Sequence, residues 1–312
     1  MSQRTALVTG ATGLLGRQVY QAFSSPGSKW TVKGTGNSRA DGVEILKCDL
    51  SSEEEISALL SKVKPNVIVH CAAQRFPDKV DKDPEAARAL NITASSTLAR
   101  LAAQHDAFLI YISTDYVFPG RPGEAPYAAS ATPAPTNLYG QTKLDGERAV
   151  LEHKGTVVLR VPVLYGTADT PSESAVNTLL DTVWKVQTEG APVKMDHWAI
   201  RYPTNTEDVA RVCRDVADVY LSHADAASLP RILQFSSEDR MTKYEICEKF
   251  AGIMGLKLDG MEANTEGNDP NAAVQRPYDC HLDTKELKDL GINVSTMDFV
   301  DWWRREVRAF RK

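Results

Sequence analysis

VTGATGLLG, residues 8–16, decides the fold. It follows a short apolar run at residues 6–9, a strand candidate. It opens LLGRQVYQAF, whose apolar spacing predicts a helix over residues 14–23. Gly10, Gly13 and Gly16 stand three apart in the turn between them. Glycine permits a tight turn and lets backbone N–H groups approach a pyrophosphate. The helix N-terminus that follows adds favourable partial charge. A glycine triplet alone is weak evidence, but one set between a strand and a helix marks a dinucleotide site.

The pattern continues outward. Further strands are predicted at 30–33, 44–46, 67–70, 108–112 (FLIYI) and 156–161. Helices are predicted at 52–63, where Ser52 and Glu55 have capping-box spacing, at 84–104 and at 138–152. This alternation implies an α/β fold, a doubly wound parallel sheet. The second half is less regular. Helices are expected at 173–185, 208–221, 243–254 and 298–308, a strand at 232–235, and a loop over the polar residues 260–280. The expected division is a cofactor-binding domain at 1–165 and a smaller lobe at 166–312, with some chain crossing back to the sheet.

The totals set limits. The 312 residues carry a formal net charge of −5, 42% hydrophobic and 25% charged residues, ordinary globular values. A mildly acidic chain is a poor fit to non-specific nucleic-acid binding, and no apolar run is long enough to span a bilayer. The opening MSQRTALVTG reads as the start of a fold and not as a leader. Cys48, Cys71, Cys213, Cys247 and Cys280 are scattered, which fits reduced thiols in a cytoplasmic protein. Neither they nor the six histidines have zinc-site spacing, so no metal is expected.

The residues after the second strand select the cofactor. An acid there binds a ribose 2′-hydroxyl, whereas a base accepts a 2′-phosphate. KGTGNSRA, residues 33–40, offers Ser38 and Arg39 and no acid; Arg17 adds a second cation. Arginine suits phosphate because its planar fork donates two hydrogen bonds at once. NADP(H) is therefore expected over NAD(H). Asp49 stands where a carboxylate would contact adenine, or caps the following helix.

At the other end, STDYVF (113–118) follows the FLIYI strand, and strand carboxyl ends are where doubly wound folds place ligands. Thr114 offers a hydroxyl there. In NLYGQTK (137–143), Tyr139 and Lys143 lie one helical turn apart. A nearby ammonium stabilises a phenolate and lowers its pKa from about 10. With a threonine to hold a carbonyl, these residues would make a reductase. Asp115 and Tyr116 border this end, or Tyr116 belongs to the core.

Together these residues resemble the extended short-chain dehydrogenase/reductase superfamily over nearly the whole chain. STDYVF, NLYGQTKLDGE and QRPYDCHLD are similar to the dTDP-4-dehydrorhamnose reductases, which implies Thr114, Tyr139 and Lys143 as catalytic and NADPH as hydride source. VIVHCAA, PAPTNLYGQTKLDGE, MDHW and DVARVCR are closer to the regulatory beta subunits of methionine adenosyltransferase, whose partner is the catalytic subunit. The cofactor contacts expected are Gly10, Thr12, Gly13, Leu14, Leu15, Gly16, Arg17, Ser38, Arg39, Asp49, Leu50, Cys71, Ala72, Ala73, Asn91, Tyr139 and Lys143. In MDHWAIRYPT (195–204), Trp198, Arg201 and Tyr202 are expected to crowd a nucleotide-sugar pocket, or to pack the lobe, with His197 beside them. Two departures stand out. The beta subunits commonly have serine where this chain has Thr114, and their C-terminal tail is not matched by DFVDWWRREVRAFRK. That segment is an exposed anchor or an amphipathic helix on the core. A regulatory subunit is thus favoured, a nucleotide-sugar reductase follows, and a sensor of the NADP(H) ratio comes last.

Overall fold

Alternate side chains of the first strand point to opposite faces, so a strand buried on both needs apolar residues throughout. RTALVT meets this condition over residues 6–8 and forms β1 (Arg4–Thr9). A computed structural model describes residues 3–37, 39–188 and 192–309. The other strands of the central sheet are β2 (Trp30–Gly36), β3 (Ile45–Lys47), β4 (Val67–His70), β5 (Phe108–Thr114), β6 (Thr156–Val161) and β7 (Ile232–Gln234). Their order is β7-β6-β5-β4-β1-β2-β3, all parallel. Chain order reverses between β1 and β4, which is where such a sheet opens a crevice at its carboxyl edge.

Register puts Val8 beside Val69, and Val69 beside Ile110; Leu7, Ile68 and Leu109 align one residue earlier. The first set meets α1 (Leu14–Phe23) and the Thr206–Ser222 helix in one core. The second meets the Glu53–Val63 and Ser95–Gln104 helices in the other. The sheet is therefore covered on both faces, and the second half of the chain supplies both β7 and a helix packed on α1.

β2 runs three residues past its expected end because Gly34 and Gly36 serve packing. A Cβ on Gly34 would press on Ala11, and Ala11 N–H donates to Thr35 O at 2.9 Å. The capping box at residue 52 is half made. Ser52 Oγ accepts from Glu55 N–H at 3.2 Å, but Glu55 Oε2 accepts from Asp49 N–H at 2.8 Å. Residues 84–104 are helical throughout, as expected, yet a π turn at Ala89–Ala94 interrupts the α geometry.

The second half departs more. The helix expected at 173–185 is a single turn at Pro171–Glu173 followed by Thr178–Thr188. Within the expected loop, Met261–Asn264 forms a strand parallel to Val193–Asp196. Of the two alternatives for the C-terminal segment, the folded one holds over the described residues. Trp302 and Trp303 are 4% and 1% exposed, packed around Tyr165 and Phe250, and Trp302 Nε1–H donates to Glu207 Oε1 at 3.1 Å. All five cysteines are free thiols. Among the described residues no helix is long and apolar enough to cross a membrane.

Candidate cofactor and reaction cleft

A cleft of about 550 Å³ lies at the carboxyl edge of the sheet. Its floor at one end is the glycine turn. Gly10 has φ +64°, and a Cβ there would sit 2.9 Å from Ala72 N. A Cβ on Gly16 would run into the Gly10 carbonyl oxygen. Both positions therefore need glycine to bring the first turn of α1 against the strand ends. Gly13, the N-cap of α1, supplies no side-chain cap, and the first turn carries no acid. Those N–H groups remain available for an anion. The backbone cradle and open helix end fit a dinucleotide pyrophosphate.

Thr12, Leu14 and Leu15 line this end, with Asp49, Leu50, Cys71, Ala72 and Ala73 along the walls. Asp49 Oδ1 accepts from Ser51 N–H at 2.9 Å and Ser51 Oγ–H at 2.7 Å, which hold its carboxyl below the usual range. The helix cap is Ser52 and not Asp49. Arg39 lines the cleft; Ser38 lies outside the described residues. Arg17 is not a lining residue. Its guanidinium donates to Thr12 O at 2.8 Å and pairs with Asp169 and Glu173.

Thr114, Tyr139 and Lys143 all line the far end. Asn137 caps the Leu138–Leu151 helix by accepting from Gly140 N–H at 2.9 Å, and that helix carries the tyrosine and the lysine. Thr114 Oγ1–H donates to Asp115 Oδ1 at 3.0 Å. Lys143 Nζ donates to Tyr111 Oη at 2.7 Å and to Ile112 O at 2.8 Å. Burial pushes Lys143 down to about 7. Tyr139 is pushed up to about 12, chiefly by burial, with Asp115 adding to the rise and Thr114 and Arg75 opposing it. Burial outweighs the groups that lower Tyr139, among which Arg75 is the cation. Burial also raises Asp115 to about 6, against the pull of Arg201.

The RmlD substrate binding domain family matches residues 4–310. The chain belongs to this family. It is similar to methionine adenosyltransferase 2 subunit beta of Xenopus laevis, 44% identical over 295 residues, 94% of this chain and 84% of that protein. It is also similar to the dTDP-4-dehydrorhamnose reductase of Shigella flexneri, 36% identical over 148 residues, 47% of this chain and 46% of that one. The fold matches a crystal structure of dTDP-4-dehydrorhamnose reductase from Bacillus anthracis in complex with NADP. The TM-score is 0.81 with 22% identity, over 99% of this chain and 100% of that one.

Several expectations for this RmlD-family chain are corrected. Asn91 does not line the cleft. It is buried in the π turn, where its Oδ1 accepts from Gln74 N–H at 2.8 Å and its amide donates to Gln74 O at 3.0 Å and Thr142 Oγ1 at 3.1 Å. It shapes the wall next to Ala73 from behind. Of the three large residues in MDHWAIRYPT, only Arg201 lines the cleft, its guanidinium 5.7 Å from the Tyr116 ring centroid. Trp198 packs on Tyr278 and Tyr202 stacks on His281, so these two pack the lobe. His197 pairs with Thr242 at 2.8 Å, also away from the cleft. Tyr116 lines the cleft with Asp115. The residues missed are Arg75, Lys243 and Arg276, three cations on the walls. Arg75 follows the β4 carboxyl end, and that position alone is the signal that would have found it.

Proposed function

We propose that this chain is an NADP(H)-binding regulatory subunit of a methionine adenosyltransferase, supporting S-adenosylmethionine synthesis in the cytoplasm in contact with the catalytic subunit. The likeness over 94% of the chain to a subunit of that name supports the partner. The observation that carries the role is the placement of Lys143. It donates to Tyr111 and to a backbone carbonyl, while Tyr139, its expected proton-donor partner, titrates above an ordinary phenol. Such a pair holds a cofactor better than it delivers a proton. Gly10, Gly13, Gly16 and the first turn of α1 would hold the pyrophosphate, Arg39 the 2′-phosphate, and Tyr139 the nicotinamide ribose.

A second reading is an NADPH-dependent nucleotide-sugar reductase. Thr114, Tyr139 and Lys143 all face one cleft, and this favours it. The cofactor would then supply hydride, Thr114 would hold the carbonyl, and Tyr139 would give the proton.

One experiment separates them. S-Adenosylmethionine formation by a methionine adenosyltransferase catalytic subunit is measured with and without this chain, and NADPH oxidation by this chain is followed with a dTDP-4-keto-6-deoxy sugar. Tyr139→Phe is run beside the wild type in both. The regulatory role predicts stimulation that survives the substitution, with no NADPH consumed. Rapid NADPH consumption abolished by Tyr139→Phe, with no effect on the catalytic subunit, would make the chain a reductase.

A further inference from the structure

Two cations and two anions close a network at the adenosine end of the cleft. Arg17 and Arg39 come from the cofactor-binding side; Asp169 and Glu173 come from the segment after β6, over a hundred residues away in sequence. Asp169 Oδ2 accepts from Arg17 Nη1 and from Arg39 Nη1, both at 2.9 Å. Glu173 Oε1 accepts from Arg39 Nη1 at 3.2 Å, and Glu173 pairs with Arg17 Nη2. The segment also folds on itself, because Asp169 N–H donates to Glu173 Oε2 at 3.3 Å. Burial pushes the Glu173 carboxyl up, but Arg17, Asp169 N–H and Arg39 together more than offset this, so it stays ionised at neutral pH.

The network has an inner and an outer half. The Arg17 and Glu173 side chains are 20% and 15% exposed, whereas Arg39 and Asp169 are 50% and 61% exposed. Exposed pairs contribute little, so the outer pair exchanges readily for another anion. The inner pair is shielded and has the extra tie of Arg17 to Thr12 O. Arg39 is also the member that lines the cleft.

We propose that Asp169 and Glu173 are specificity-determining residues that make the adenosine end a clasp released by a 2′-phosphate. An NADP(H) phosphate takes Arg39 from Asp169, because a third anion added beside Asp169 and Glu173 on that guanidinium repels both, and Asp169 is the more exposed of the two. Glu173 keeps Arg17 and anchors the segment. NAD(H) carries a 2′-hydroxyl at that position, which a carboxylate accepts as a hydrogen bond, so the clasp stays closed on it. The segment around residues 167–174 then differs between the two loaded forms. This deepens the cofactor assignment above and rests on it.

The test is calorimetric titration of NADPH and of NADH into wild type, Asp169→Asn and the Asp169→Asn/Glu173→Gln double variant, with hydrogen exchange at residues 167–174 of the wild type. The expected result for Asp169→Asn is NADPH binding tightened about two- to fivefold, the equivalent of one exposed ion pair, with NADH unchanged within about twofold. Exchange at residues 167–174 should rise with NADPH and not with NADH. Equal changes for both cofactors, weakened NADPH binding in Asp169→Asn, or exchange that does not rise with NADPH would each overturn the clasp. The exchange arm needs no variant, so a double variant that fails to fold leaves the decision intact. A wild type that binds neither cofactor overturns the cofactor assignment itself, whereas binding without the selective effects overturns only the clasp.

Discussion

Replacing Lys143 with methionine should remove a specific part of the pH dependence of stability. Lys143 is 2% exposed, and burial lowers its pKa to about 7. In the unfolded chain it keeps its proton to about 10.4. Between these values the unfolded state binds the extra proton, so stability rises with pH. Integrated from pH 7.0 to 8.5, this one group contributes about 1.6 kcal/mol. The window is chosen to isolate it. His70, pushed down to about 3 by burial, makes its change below pH 7. Burial raises all five thiols, so each subtracts stability as its unfolded counterpart ionises from about pH 7.5 upward; this loss is common to wild type and variant and cancels in the comparison. Denaturant midpoints of the cofactor-free protein at pH 7.0 and 8.5 give the comparison. Wild type should gain about 1.6 kcal/mol relative to Lys143→Met across the window. Parallel behaviour within about 0.5 kcal/mol would mean that Lys143 stays charged in the fold, and the account of the Tyr139–Lys143 pair would fail.

Further substitutions test the parts around it. Gly16→Ala should abolish measurable NADPH binding by titration, since its Cβ meets the Gly10 carbonyl oxygen, and should cost about 1–3 kcal/mol of stability as an overpacked site. Asn91→Ala leaves the Gln74 N–H and carbonyl without their side-chain partner, so stability should fall by about 1–3 kcal/mol and NADPH affinity with it, although Asn91 does not line the cleft. Glu147→Ala strands Arg160 in a site where both side chains are 2% exposed and the ion pair is 2.7 Å long; thermal unfolding should show a loss of about 3–5 kcal/mol.

The first half was legible because it depends on local pattern. A strand, three glycines and an amphipathic helix follow one another, and each constrains the next. FLIYI is likewise a strand that reads itself, since a sheet covered on both faces favours unbroken apolar runs. What stayed hidden depends on long-range pairing. Tyr111 sits in that apolar run and looks like core, yet its hydroxyl takes Lys143 from a helix that begins 27 residues later (138 against 111). Nothing in the Tyr-x-x-x-Lys spacing says which way the lysine turns. Arg17 and Arg39 read as free cations until Asp169 and Glu173 arrive from the other half. Asn91 carried the chemistry of a contact but stands behind the wall, because the π turn points it at Gln74. The Met261–Asn264 strand was missed because its partner, Val193–Asp196, is remote and its own sequence is polar.

The central claim is that the cleft at the carboxyl edge of the sheet is an NADP(H) site. Its most direct test is a crystal structure of the protein with NADPH. The account predicts the pyrophosphate on the Gly10–Gly16 turn, the 2′-phosphate on Arg39 with Asp169 withdrawn, and the nicotinamide ribose against Tyr139. NADPH bound elsewhere, or an empty cleft at saturating NADPH, would contradict it.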